Sequence, residues 1–211
     1  MKKPSKQLAK QLRSSQRVQY PDDEARHPWL SILLDGYHVI DVGISIELKQ
    51  EEEKHRTSVT CRKGCSNCCL RPTVPIGPLE ELGISWFATE KLQGDVREAI
   101  RKQLLIHGET LQCPFLLNSL CSIYLVRPVA CRMFFVFGKQ CELGEHLEQT
   151  RPSDIWTHSR DLARRVAMIV LPFYGITGKR NKIQAFQDGY IGSISRPMHE
   201  YPWDKLGRKM K

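Results

Sequence analysis

The 211-residue sequence has no uninterrupted run of eighteen or more apolar residues, so no membrane-spanning helix is expected. It has no strand-length alternation of polar and apolar residues, no internal repeat and no low-complexity core. No glycine-rich loop follows a strand pattern, so a standard methyl-donor fold is not marked. The opening stretch, MKKPSKQLAKQLRSSQRVQY, lacks the apolar segment of a secretory signal. The expectation is a cytoplasmic protein whose thiols stay reduced.

Residues 1–20 also lack any acid while carrying six Lys or Arg, and residues 205–211 carry four more and no acid. The formal charge of +9 therefore resides in the two ends, and residues 21–204 are one negative charge from neutral. Basic ends can hold a phosphate backbone without reading its sequence. With no nucleic-acid recognition motif beside them, solvated mobile ends are the preferred reading. Hydrophobic content of 41% and charged content of 26% are ordinary for a globular chain. At this length a core can form without crosslinks.

Helical periodicity is what remains. Leu33, Tyr37, Ile40, Ile44 and Leu48 share one face of a helix expected from about His27 to Arg56, weakened by Gly36 and Gly43. Pro78 suits the first turn of a second helix, PLEELGISWFATEKL, which Gly94 would end. DVREAIRKQLLIHG reads as a third, with Asp95 as N-cap and Gly108 as the stop. PSDIWTHSRDLARRVAMIVLPF reads as a fourth, with Ile155, Leu162, Val166, Ile169 and Val170 on one face. Residues 175–211 read as loops with one short helix at most.

Eight cysteines fall into two groups of four and none lies elsewhere: Cys61, Cys65, Cys68 and Cys69, then Cys113, Cys121, Cys131 and Cys141. Cys65-x-x-Cys68 is a chelating spacing, since one turn can aim both sulfurs at one ion. Gly64 permits tight backbone there. Arg62, Lys63, Arg71 and Arg132 flank the thiols and favour the thiolate form. Cys68 and Cys69 are neighbours, offset by about 100° on a helix or on opposite faces of a strand. If both are ligands, they serve two ions or different corners of a polynuclear cluster.

A reducing compartment argues against structural disulfides. Four-thiolate zinc is the simplest metal reading; iron–sulfur ligation is the sharper one, and spacing alone does not separate them. The apolar run Met-Phe-Phe-Val-Phe after Arg132 and the Pro-Phe-Leu-Leu after Cys113 would make a dry shell, which tilts the reading toward iron. His107 and His146 stand six residues before Cys113 and five after Cys141, close enough in sequence to replace a thiol. His38, His55 and His158 need no special role.

CRKGCSNCC at 61–69 and CPFLLNSLCSIYLVRPVACR at 113–132 resemble the YkgJ-type cysteine-cluster family, a zinc- or iron-chelating domain. VPIGPLEEL at 74–82 also resembles the family's segment between its clusters, and the likeness spans roughly residues 58–142. It implies metal ligation by Cys61, Cys65, Cys68, Cys69, Cys113, Cys121, Cys131 and, least directly, Cys141. Two departures stand out: Asn118-Ser119 replaces an acidic-glycine turn, and Leu125-Val126 stands where an acid usually follows Tyr124. For Tyr124, Arg127 and Arg132, a structural role is preferred to one toward sulfur or a bound anion. Flagellin lysine-N-methylases share a similar cluster, so one branch implied by the resemblance is a protein-modifying enzyme that uses S-adenosylmethionine. Cys61-x3-Cys65-x2-Cys68 also matches the radical S-adenosylmethionine signature. Too little chain follows for that barrel, Pro72 and Pro75 interrupt its first helix, and the second cysteine group has no role in it.

The expectation is a mainly α protein: a small helical domain with irregular loops organised around a cysteine-ligated metal site. Its parts are a flexible basic tail (1–20), an N-terminal helix (21–57), the cysteine core (58–145), a C-terminal helix and loops (146–204) and a second basic tail (205–211). It would bind an iron–sulfur cluster, or zinc, with a redox, sensing or metal-handling role. Its partners would be the metal and possible proteins, with nucleic acid engaged only through the tails and no membrane.

Overall fold

Leu33, Tyr37, Ile40 and Ile44 are all buried along one long helix, as their spacing requires. The computed structural model describes residues 6–70, 74–108 and 112–210. Arg71, Pro72 and the extreme residues of both basic ends lie outside these. Among the described residues there are eleven α-helices: α1 Lys6–Ser14, α2 Pro21–Arg26, α3 Pro28–His55, α4 Pro78–Glu90, α5 Gly94–Leu105, α6 Val129–Arg132, α7 Leu147–Thr150, α8 Arg160–Val170, α9 Lys179–Gln187, α10 Tyr190–Ser193 and α11 Trp203–Lys209. Four two-residue strands complete the set: β1 Pro75–Ile76, β2 Leu116–Leu117, β3 Leu120–Cys121 and β4 Arg196–Pro197. The fold is mainly α, as the sequence indicates.

The chain packs into two units, each built from two separated stretches. One holds residues 6–59 with Trp156–Ser193 and is organised by α3. Leu8 of α1 is buried on Val42 and Ile46, with Leu12 beside it. The N-terminal basic stretch, expected as a flexible tail, is thus helical and anchored over Lys6–Ser14. Arg17 then ties the following turn to α2 and α3 through Glu24 and Asp35.

Gly36 and Gly43, poor helix formers by propensity, are the points where α8 approaches α3. A Cβ on Gly43 would lie 2.3 Å from Leu162 Cδ1, and one on Gly36 would lie 3.1 Å from Val170 Cγ1. By length and composition α3 could also cross a membrane, with an 18-residue window of mean hydropathy 1.3, of which 56% is buried inside the protein. Asp35, His38 and Asp41 punctuate the helix and break its apolar run.

α8 begins at Arg160, later than the periodicity suggests. Pro152–Asp154 forms a separate 3₁₀ turn, and Ile155 bridges to Val136 instead of joining the α8 face. Ser159 caps the helix, its Oγ accepting the Leu162 N–H at 3.1 Å.

The second unit comprises Thr60–Ile155 with residues 194–210. α5 starts at Gly94 behind Gln93, so Asp95 lies in the first turn instead of capping it. α11 packs on α5, where a Cβ on Gly207 would meet the Arg101 carbonyl oxygen at 3.1 Å. Trp203, Leu206 and Met210 are buried. The C-terminal basic stretch is therefore the outer face of a docked helix. Its apolar residues recur at helical spacing, a pattern that the Lys and Arg between them obscure. β4 pairs antiparallel with β1, and β2 with β3. The β2–β3 turn places Asn118 at φ 50° and Ser119 at φ 60°, the backbone an Asn-Gly hairpin adopts.

Gly43→Ala should destabilise the protein by about 1 kcal/mol despite the better helix propensity, read as a shift in the denaturation midpoint. In a Leu162→Ala background the same change should stabilise, and a stabilising Gly43→Ala alone would contradict the close approach. Ser119→Gly should stabilise by about 1 kcal/mol by relieving the left-handed residue; an unchanged or lowered midpoint would contradict it.

Candidate metal centre

Cys61 follows Thr60, whose N–H donates to the Val136 carbonyl at 2.8 Å, while the Val136 N–H is directed at the Cys61 sulfur. Gly64 turns the chain at φ 85°, and the Cys65 N–H closes that turn on the Arg62 carbonyl at 2.9 Å. Cys68 and Cys69 then lie in a 3₁₀ helix, Asn67–Leu70.

The second segment is fastened to the first by backbone. The Cys113 N–H donates to the Cys69 carbonyl at 2.7 Å. The Cys113 carbonyl accepts from Leu116 N–H at 3.1 Å and from Gln103 Nε2 of α5 at 3.3 Å. Leu116 faces Cys121 across the β2–β3 ladder. Cys131 rides on α6, whose first N–H, from Val129, donates to Glu80 Oε1 at 2.7 Å. Glu80 Oε2 accepts the Gly77 N–H at 2.9 Å, so one carboxylate caps α4 and holds α6. Cys141 lies on a loop whose carbonyl accepts from Asn67 Nδ2 at 2.5 Å. Arg151 staples that loop, donating to Glu145, Asp154 and the Lys139 carbonyl.

All eight cysteines are half-buried and none forms a disulfide. Burial pushes the Cys61 thiol up to about 11 and Cys113 to about 12. Cys131 is raised by burial and then by Cys113, Cys68 and Cys121. Cys69 is raised by its hydrogen bond with Cys68 and by burial. Cys121 and Cys141 are also raised, burial leading in both. Sulfurs crowded in this way resist ionising together unless a cation is present, and metal binding then releases their protons.

Soft thiolates suit zinc and iron–sulfur chemistry, so the donor set fits such a centre. The spacing is more open: among the described residues no three His, Cys, Asp or Glu side chains stand close enough to share an ion. His107 instead hydrogen-bonds the His199 carbonyl through Nε2 at 3.0 Å, and His146 sits at the N-cap position of α7.

The structure separates the three residues for which a structural role was preferred. Buried Arg132 donates to the Arg127 carbonyl at 2.8 Å and the Leu125 carbonyl at 2.7 Å, and so shapes the turn. Tyr124 is exposed, with the Arg127 guanidinium 4.3 Å over its ring. The Arg127 Nε is buried without a hydrogen-bond partner, and its charge favours the Cys121 and Cys131 thiolates. Arg127 is therefore the basic residue best suited to face ligated sulfur.

The dry surroundings also differ from expectation. Val136 is buried, but Phe134, Phe135 and Phe137 of the same run are only half-buried. The fully enclosed aromatics among the described residues include Phe115 and Trp203, packed edge-on with ring centroids 5.0 Å apart. Buried Met198 brings its Sδ within 3.9 Å of Cys113 Sγ. Glu80 had a sequence signal, the Gly77-Pro78-x-Glu80 spacing of a helix start. Nothing in the sequence links Met198 or Asn67 to distant cysteines.

The arrangement is a helical, thiol-rich unit. Residues 60–152 match the model of the CxxCxxCC family, described as a zinc- or iron-chelating domain, in keeping with the YkgJ-type likeness. No curated protein and no solved structure matches the chain.

Glu80→Ala should cost about 1–3 kcal/mol, because it strips the acceptor from two backbone N–H groups. Glu80→Gln, which keeps an acceptor, should cost less. Equal denaturation midpoints for Glu80→Ala and the parent would show that the carboxylate does not hold α6.

Proposed function

We propose that this protein binds iron through its cysteines as an iron–sulfur protein, working in redox chemistry, metal sensing or metal handling in the reducing cytoplasm. The observation that carries the reading is the gathering of eight cysteines, none in a disulfide, from two distant segments into one unit. Cys61, Cys65, Cys68, Cys69, Cys113, Cys121, Cys131 and Cys141 are the proposed ligands. Bound metal would supply a stable charge partner for the thiolates and, as an iron–sulfur cluster, a one-electron couple.

The protein's own groups prepare for this. Arg127 offers a buried cationic donor beside Cys121 and Cys131. Phe115, Val136, Met198 and Trp203 are buried in the same unit, and exclusion of water limits oxidative attack on a cluster. That shell is what favours iron over zinc here. Closing the open spacing of the sulfurs falls most easily to the loop-borne Cys61, Cys65 and Cys141.

Anaerobically purified protein should contain near-stoichiometric iron and acid-labile sulfide, with a broad visible absorption that bleaches on reduction. Zinc without sulfide or colour would replace the iron reading with a structural or sensing zinc centre. Protein that holds neither metal would overturn metal binding altogether.

A further inference from the structure

We propose that the cavity between α8 and α9 binds a nucleotide, with the base stacked on Phe186 and the phosphate held by Arg160 and Arg164. The site lies in the unit organised by α3, and it does not depend on the metal-binding reading.

The cavity has a volume of about 350 Å³ and is lined by Arg160, Asp161, Arg164, Ile183, Phe186 and Gln187. That is room for one small ligand. The lining divides by chemistry. Ile183 and the half-buried Phe186 give it an apolar floor. Arg160 and Arg164 supply cations from α8. Exposed Gln187 offers an amide with both donors and an acceptor, the two functions found on a base edge.

Charge selects an anion. Asp161 also lines the cavity, but Arg164 donates to its Oδ1 at 2.6 Å and Arg165 to its Oδ2 at 2.7 Å, so its charge is already met. Arg160 is left over. Among the described residues it has no carboxylate partner, and its Cζ stands 5.8 Å from the Phe186 ring centroid. That is the outer limit of a cation–π contact, so the exposed side chain gives up little in turning to a phosphate. The surroundings share the bias. Residues 156–193 carry Arg160, Arg164, Arg165, Lys179, Arg180 and Lys182 against Asp161 and Asp188 alone. Lys179 and Arg180 stand four and three residues before Ile183, and so extend the same face of α9 by one turn.

A nucleotide answers all of these groups with one molecule. An aromatic ring flanked by cations takes a base by stacking, whatever its sequence, and guanidinium forks match phosphate oxygens. A simple carboxylate would use the arginines and leave Phe186 and Gln187 idle. A wholly apolar ligand would leave the arginines idle. A free mononucleotide and one residue of a single-stranded nucleic acid present the same chemistry. In the second case Lys179 and Arg180 are placed for the neighbouring phosphate.

The test is calorimetric titration of the full-length protein with AMP, GMP, CMP and UMP, and with a short single-stranded RNA. At least one of the monophosphates should bind saturably. Its nucleoside, and inorganic phosphate alone, should each bind about tenfold more weakly or worse. Phe186→Leu keeps an apolar floor without a ring, and Arg160→Gln removes an exposed cation. Each should weaken binding about tenfold, with circular dichroism showing both variants folded. If Phe186→Leu does not fold, Arg160→Gln still has to show the loss. RNA binding no tighter than the monophosphate would assign the site to free nucleotide. RNA binding at least about tenfold tighter, and falling steeply with salt, would assign it to single-stranded nucleic acid; either result supports the site. Absence of binding by every monophosphate and by RNA at millimolar concentration would overturn it. So would binding that folded Arg160→Gln and Phe186→Leu retain in full, because the anion would then be held elsewhere, as on the basic ends.

Discussion

Mutual repulsion among ionised thiols is the constraint on which the cysteine unit depends. Each sulfur is partly withdrawn from water, and each that ionises raises the cost for its neighbours. Two resolutions exist in a reducing environment: the thiols stay protonated, or cations hold them as thiolates. The unit leaves both available. Burial holds the Cys61, Cys113 and Cys131 thiols upward of their ordinary range, yet Arg127 stands by with a buried N–H that nothing else accepts.

The scaffold around the thiols is economical in polar groups and specific in how it uses them. One carboxylate, Glu80, serves the starts of two helices. One amide, Asn67, reaches from the first cysteine segment to the last cysteine. One guanidinium, Arg132, closes the turn that precedes its own helix. Each is a side chain satisfying backbone groups that irregular loops would otherwise leave unpaired. A cysteine-rich region with little regular structure can hold a defined shape on such terms.

Much of this was legible in the sequence, for identifiable reasons. The long helix, α4 and α5 announce themselves through apolar spacing, α4 also through Pro78 in its first turn, and the cysteine pattern marks both metal chemistry and the family resemblance. The errors arose where tertiary contacts overrode local signals. Gly36 and Gly43 look like helix weaknesses because propensity does not register a close-packed neighbour. Ile155 has the right phase for α8 but is taken by a bridge to Val136. Trp203, Leu206 and Met210 are masked by the basic residues among them, so a docked helix reads as a tail. The shell is only partly formed by the phenylalanine run after Cys131; much of it comes from the far C-terminus, which no local window connects to Cys113.

That last connection gives assembly a direction in time. Met198 is made 85 residues after Cys113, an interval of roughly 4–17 s at ribosomal speeds of about 5–20 residues per second. Until it emerges, together with β4 and α11, all the cysteines are present while the lid over Cys113 is not. The nascent chain thus passes through a stage in which its donors are complete and its core is unsealed. Order of synthesis, written into the placement of one methionine, thus separates the completion of the cysteine set from the closing of the packing around Cys113.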